Sequence, residues 1–145
     1  MVKPLKSALD GRRPKIYARL ILTDLEFQEA TIMPQVNISL SRKLDDTTKG
    51  KLQLEIGNAM PLLPTKNIDN THICLADGCS FYKSGVPLDG AFVDVRLHKQ
   101  SPEESKKAFA EKMFSILKES LGIDPASVYM NFIEFENWAS GGEYR

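Results

Sequence analysis

The segment 91–135 constrains the fold of this chain more than any other. Ala91 to His98 (AFVDVRLH) places Val93, Val95 and Leu97 on one phase and Phe92 on the other, the two-residue period of a strand. Ser101-Pro102-Glu103-Glu104 then carries helix-start chemistry. Ser101 reads as the N-cap, Pro102 as the first helical residue and Glu104 as the closing member of a capping box. Phe109, Met113, Ile116, Leu117 and Leu121 recur at helical spacing, and Gly122 suits the residue just past the helix end. Ser127 to Phe135 (SVYMNFIEF) alternates again. A strand, a helix and a strand in this order predict a parallel pair joined by a crossover helix.

The same order occurs once earlier, with weaker signals. Val36, Ile38 and Leu40 alternate with Gln35, Asn37 and Ser39 behind Pro34, a residue tolerated at the start of a strand. Asp45 and Asp46 lead into a helical stretch marked by Leu52, Ile56, Ala59 and Met60. Gly50 and Gly57 weaken it, and Pro61 and Pro64 stop it. Thr71 to Ala76 is the second strand, Asp77-Gly78 a turn, and Cys79 to Tyr82 a further short strand. The expected fold class is therefore α/β (α+β). Two β-α-β units form a four-stranded sheet with both helices on one face.

Composition narrows the function classes. With 19 basic and 19 acidic residues the formal net charge is zero, which excludes a general polyanion binder. No apolar run is long enough to span a bilayer and no signal-peptide pattern is present. Neither nucleic acid nor membrane is expected as a partner, and the cytoplasm, or export without a signal peptide, is the expected location. Cys74 and Cys79 are not spaced as C-x-x-C and read as core thiols of a reducing compartment. His72 and His98 have no clustered carboxylate or cysteine and read as structural or surface residues. No phosphate loop, zinc set or nucleophile–base motif is evident, so no metal or cofactor is expected. Residues 1–33 read as an N-terminal extension ahead of a domain over 34–145. Within it, 1–15 is an irregular tail with Pro4, Gly11 and Pro14, and Ile16 to Phe27 is a strand or short helix. The extension either belongs to the product or reflects a reading frame taken too far upstream.

Two passages resemble a known family. Leu121-Gly122-Ile123-Asp124-Pro125-Ala126-Ser127-Val128-Tyr129-Met130-Asn131-Phe132 is similar to the "L-x-I-x-P-x-x-V-Y-I-N-F" passage of the macrophage migration inhibitory factor group in the tautomerase superfamily. Asn137-Trp138-Ala139-Ser140-Gly141-Gly142 resembles that group's closing "N-W/F-x-x-x-G" tail. The resemblance covers nearly all of the chain beyond residue 33 and implies a homotrimer with a catalytic amino-terminal proline. Carried over, Pro34 is the catalytic base. Lys66 falls where the family has a lysine near the substrate carboxylate. Tyr129 and Asn131 fall on a wall contributed by the neighbouring subunit, and Trp138 lies at the substrate end or is simply packed. Two departures stand out: the proline is preceded by 33 residues, and the closing loop is a residue short and lacks a second aromatic.

The implied activity is cofactor-free keto–enol tautomerisation of a small aromatic 2-oxo acid such as phenylpyruvate. It requires Pro34 to carry a free amine, because an internal proline nitrogen is an amide without basicity. The alternative is a non-catalytic, cytokine-like or interaction protein of the same fold. A proline-dependent lyase or dehalogenase is disfavoured, since no paired arginines and acid are placed for it.

Overall fold

The computed structural model describes residues 33–144. The tail over 1–15 and the segment Ile16 to Phe27 lie outside them. In chain order the main elements are β1 (Gln35–Leu40), α1 (Asp46–Ala59), β2 (His72–Ala76), β3 (Tyr82–Lys83), β4 (Val86–Pro87), β5 (Ala91–His98), α2 (Glu103–Leu121), β6 (Val128–Phe135), β7 (Ala139–Ser140) and β8 (Glu143–Tyr144). Four strands make a mixed sheet in the order β2-β1-β5-β6. β1 and β2 are parallel, β5 and β6 are parallel, and β1 and β5 join the two pairs antiparallel. These are the two β-α-β units expected from the strand and helix periods.

Strand parity decides which face is covered. Val36, Ile38 and Leu40 of β1 stand opposite Val95, Val93 and Ala91 of β5, and all six are buried. Leu52 and Ile56 of α1 and Phe109, Met113 and Leu117 of α2 complete one core with them. Both helices therefore lie on one face. The opposite face carries Gln35, Asn37, Ser39, His72, Cys74, Phe92, Asp94, Arg96, Tyr129 and Asn131 by the same parity. No helix covers it among the described residues.

The helix ends follow local chemistry. Asp45 caps α1, its carboxylate accepting the Thr48 N–H at 2.7 Å, and this bond holds its pKa below the usual carboxylate range. Gly57 is buried in α1 because Ile68 lies against it; a Cβ there would stand 2.5 Å from Ile68 Cγ1. Gly122 ends α2 in the left-handed conformation at φ +69°. Arg42 binds that end to the rest of the fold. Its guanidinium donates to the Leu121 carbonyl and to Asp89, whose carboxyl is held low by the same arginine.

Three expectations are corrected. Ser101 does not cap α2: Pro102 holds the N-cap position and no side chain bonds there. The reason is that the Ser101 N–H is held by Glu134 Oε2 at 2.7 Å, in a loop entered through Lys99 at φ +67°. The short strand begins at Tyr82 rather than Cys79, because a hairpin with Val86–Pro87 forms around Ser84 and Gly85, both at positive φ. The cysteines are not core residues. Cys74 is exposed on edge strand β2, where it pairs with Asn37 on the uncovered face, and Cys79 is half-buried.

Candidate active site

Pro34 is buried and precedes a strand that has neighbours on both sides. Its carbonyl accepts the His72 N–H at 2.9 Å. Gln35, the next residue, pairs with His72 of β2 and Arg96 of β5. Anything bonded to the Pro34 nitrogen is thus delivered to the middle of this sheet end.

Lys66 reaches the same end through the α1–β2 connection. β1 and β2 are parallel, so the loop entering β2 lies at the end where β1 begins. Two short turns shape it, with Leu63 N–H donating to the Met60 carbonyl at 2.8 Å and Lys66 N–H to the Leu63 carbonyl at 3.1 Å. Thr65 then adopts φ +65°, an outlier for a β-branched residue. Such a conformation persists only where its surroundings hold it, and it costs on the order of 1–3 kcal/mol. Here the Asn70 side chain donates to the Thr65 carbonyl at 3.0 Å, and Asn67 and Asn70 cap each other reciprocally. The result is a lysine only 8% exposed, with its Nζ 3.4 Å from Thr65 Oγ1.

The closing segment supplies a wall. Trp138 is half-buried, packing against His98 at 6.4 Å and Phe135 at 5.8 Å between ring centroids. It lines a groove of about 320 Å³ with Met33, Gln35, His72 and Ser140. Gly141 and Gly142 turn the β7–β8 hairpin at φ +60° and +84°. A Cβ on Gly141 would stand 3.5 Å from Met33 Cε, so the residue before Pro34 sits under this turn.

Tyr129 and Asn131 are elsewhere in the same chain. Tyr129 pairs with Phe92, and Phe92 with Ser39 near the far end of β1. At about 3.3 Å per residue, that is roughly 16 Å along the strand from Pro34. Tyr129 is 64% exposed and lines a different, largely apolar cavity of about 220 Å³ with Tyr82, Leu88 and Phe92. Asn131 stands beside Asp94, and Asn131 Oδ1 and Asp94 Oδ1 are both buried without a hydrogen-bond partner. The fold therefore gathers Pro34, Lys66 and Trp138 at one end and leaves Tyr129 and Asn131 away from it.

Sequence reasoning passed over Met33, Gln35, His72, Ser140 and His98 as contributors to this end. The parity of Ala91–His98, which sets His98 on the phase of Phe92, and the Gly141-Gly142 doublet were the available signals. Among the described residues no group of His, Cys, Asp and Glu could hold a metal, and no helix is long and apolar enough to cross a membrane.

No family model and no curated protein matches this sequence. Solved structures do match. The MIF2 protein of Leishmania major is 18% identical, with 79% of this chain and 98% of that one covered at a TM-score of 0.72. Pt0534, in a structure inactivated by 2-oxo-3-pentynoate, is 18% identical over 76% and 95% of the two chains at 0.67. An asymmetric trimer of the fused 4-OT protein R7 is 16% identical over 76% and 94% at 0.66. At these identities the likeness is one of fold. The chain has the tautomerase, macrophage migration inhibitory factor-like fold that its C-terminal passage resembles.

Proposed function

We propose that this chain is a cofactor-free keto–enol tautomerase of small aromatic 2-oxo acids such as phenylpyruvate, acting once processing before Pro34 frees its amine. The observation that carries the proposal is the burial of Pro34 at the start of an interior strand, at the sheet end that also receives Lys66 and Trp138. An α-amino group titrates near about 7.7–8 in water. Burial, and a lysine at the same end, both disfavour its charged form. The neutral amine then takes a proton from the carbon beside the ketone, leaving the enolate, and returns it to the enolate oxygen to give the enol. Lys66 holds the substrate carboxylate or the developing enolate. The inactivation of the similar Pt0534 by a 2-oxo acid supports that substrate class.

Trimer assembly belongs to this proposal. It accounts for the uncovered sheet face, and it would bring Tyr129 and Asn131 of a neighbouring subunit to the Pro34 end, which they do not reach in their own chain. The trimeric arrangement of the similar R7 protein supports it. Light scattering is expected to give three copies of the 34–145 domain; a stable monomer would refute this part.

A second reading has its own support. Met33 is half-buried beneath Gly141, so a chain that retains it fills part of the groove and has an amide, not a basic amine, at the Pro34 nitrogen. That chain would be a binding protein. The two readings separate in one experiment: phenylpyruvate tautomerisation by the full chain and by one beginning Met33-Pro34 and trimmed to Pro34, with masses and circular dichroism verified. General-base catalysis supplies about 10²–10⁴-fold, and the trimmed chain is expected to lead by that order. Equal activity rejects the terminal-amine mechanism, and inactivity of both favours the binding protein.

A further inference from the structure

We infer that His98 positions Trp138: its Nδ1 accepts the indole N–H through one bridging water, and so holds the ring that walls the groove at the Pro34 end. His98 is the last residue of β5 and only 6% exposed. Its Nε2 lies 3.0 Å from the Glu136 carbonyl oxygen. A carbonyl can only accept, so Nε2 carries a proton, and in that tautomer Nδ1 is a bare acceptor. That Nδ1 is buried without a hydrogen-bond partner. Trp138 Nε1 can only donate, and it too is buried without a partner.

The two rings stack with centroids 6.4 Å apart and planes 28° from parallel. One buried unmatched donor and one buried unmatched acceptor thus lie in adjoining rings, and buried polar groups of folded proteins are rarely left unmatched. The Phe135 ring also packs against the indole, at 5.8 Å between centroids, but its side chain offers no acceptor. His98 is therefore what fixes the rotation of Trp138, while apolar packing alone fixes its depth. The link to turnover rests on the tautomerase reading; the link between the rings does not.

Trp138 is the single tryptophan of the chain, so its indole N–H gives one nitrogen–proton correlation peak. That proton is expected to exchange slowly with solvent in the full chain. Protection should be lost in His98→Ala and regained in His98→Asn, whose amide oxygen can stand near the place of Nδ1. Nitrogen shifts should show His98 as the Nε2–H tautomer. An Nδ1–H tautomer, or equal indole exchange with and without His98 in folded protein, overturns the inference. In a chain trimmed to Pro34, His98→Ala should raise KM for phenylpyruvate more than it lowers kcat. Lost protection with unchanged KM refutes the positioning of substrate while leaving the ring pair. Inactivity of the parent refutes the tautomerase reading alone, because indole exchange still decides the pairing.

Discussion

Gly50 and Gly57 lie in the same helix, and replacing each with alanine is expected to move stability in opposite directions. A helical glycine costs about 0.5–1 kcal/mol relative to alanine, through backbone entropy. At Gly50 nothing lies within 4 Å of the added methyl, so Gly50→Ala should gain that amount. At Gly57 the methyl would meet Ile68 Cγ1 at 2.5 Å and Cδ1 at 2.6 Å. Overpacking of this kind costs about 1–3 kcal/mol. Subtracting the entropy gain leaves a net loss of roughly 1 kcal/mol, or about 4 °C in melting temperature for a domain of this size. Urea titration followed by circular dichroism measures both changes. Ile68→Ala in the Gly57→Ala background should relieve the clash, giving a favourable coupling of at least about 0.5 kcal/mol in a double-mutant cycle. Gly57→Ala stabilising as much as Gly50→Ala, with no coupling to Ile68, would refute the steric argument. Ile68 begins the turn that shapes the Lys66 loop, so the same variant should also weaken binding of a carboxylate at the Pro34 end.

Other outcomes follow from the packing and the ion pairs. Phe109 is fully buried against Phe132, and Phe109→Ala should cost about 3–5 kcal/mol by urea titration. Lys106 and Glu134 form a largely buried pair at 3.1 Å, and Lys106→Met should cost about 1–3 kcal/mol by leaving the carboxylate without its cation. Adding Glu134→Gln should recover part of that loss. Asp45, Asp77 and Asp89 all have carboxyl pKa values lowered in the folded chain: the first two mainly by backbone N–H donors, the third by Arg42. Their contribution is full above the unfolded value of about 3.9 and is lost as pH falls through the lower folded values. Urea midpoints should therefore hold from pH 7 to 5 and fall below about pH 4, with a shallower fall in Asp89→Asn.

The strands and helices of the two β-α-β units were legible because their periods are clean. Val93, Val95 and Leu97 in one strand, and Phe109, Met113 and Leu117 in the helix after it, are each buried where the period puts them. The cap of α2 was misread because a capping box is a local pattern, while the Ser101 N–H is taken by Glu134 from a distant strand. Cys74 was misplaced for a related reason: apolar character does not say which face of an edge strand is covered. The site was legible only in part. Pro34, Lys66 and Trp138 came from the family resemblance, and the sheet order brings them to one end. The strain at Thr65, the approach of Met33 to Gly141 and the role proposed for His98 all depend on pairings between distant segments.

The strand order also bears on how the chain folds. β1 is the first strand of the described residues to be made, yet it is interior to the sheet. Its partners join Gln35 to His72 and Leu40 to Ala91, and the other pair joins Ala91 to Val128; none is a hairpin. Pairing this remote in sequence favours slow folding, in milliseconds to seconds rather than microseconds. Until β2 and β5 arrive, Val36, Ile38 and Leu40 stay open on a strand without neighbours, the kind of segment through which unfinished chains associate. Pro34 stands at its head without an N–H to offer. The residue proposed to carry the chemistry thus also blunts one end of this strand while it waits for its neighbours.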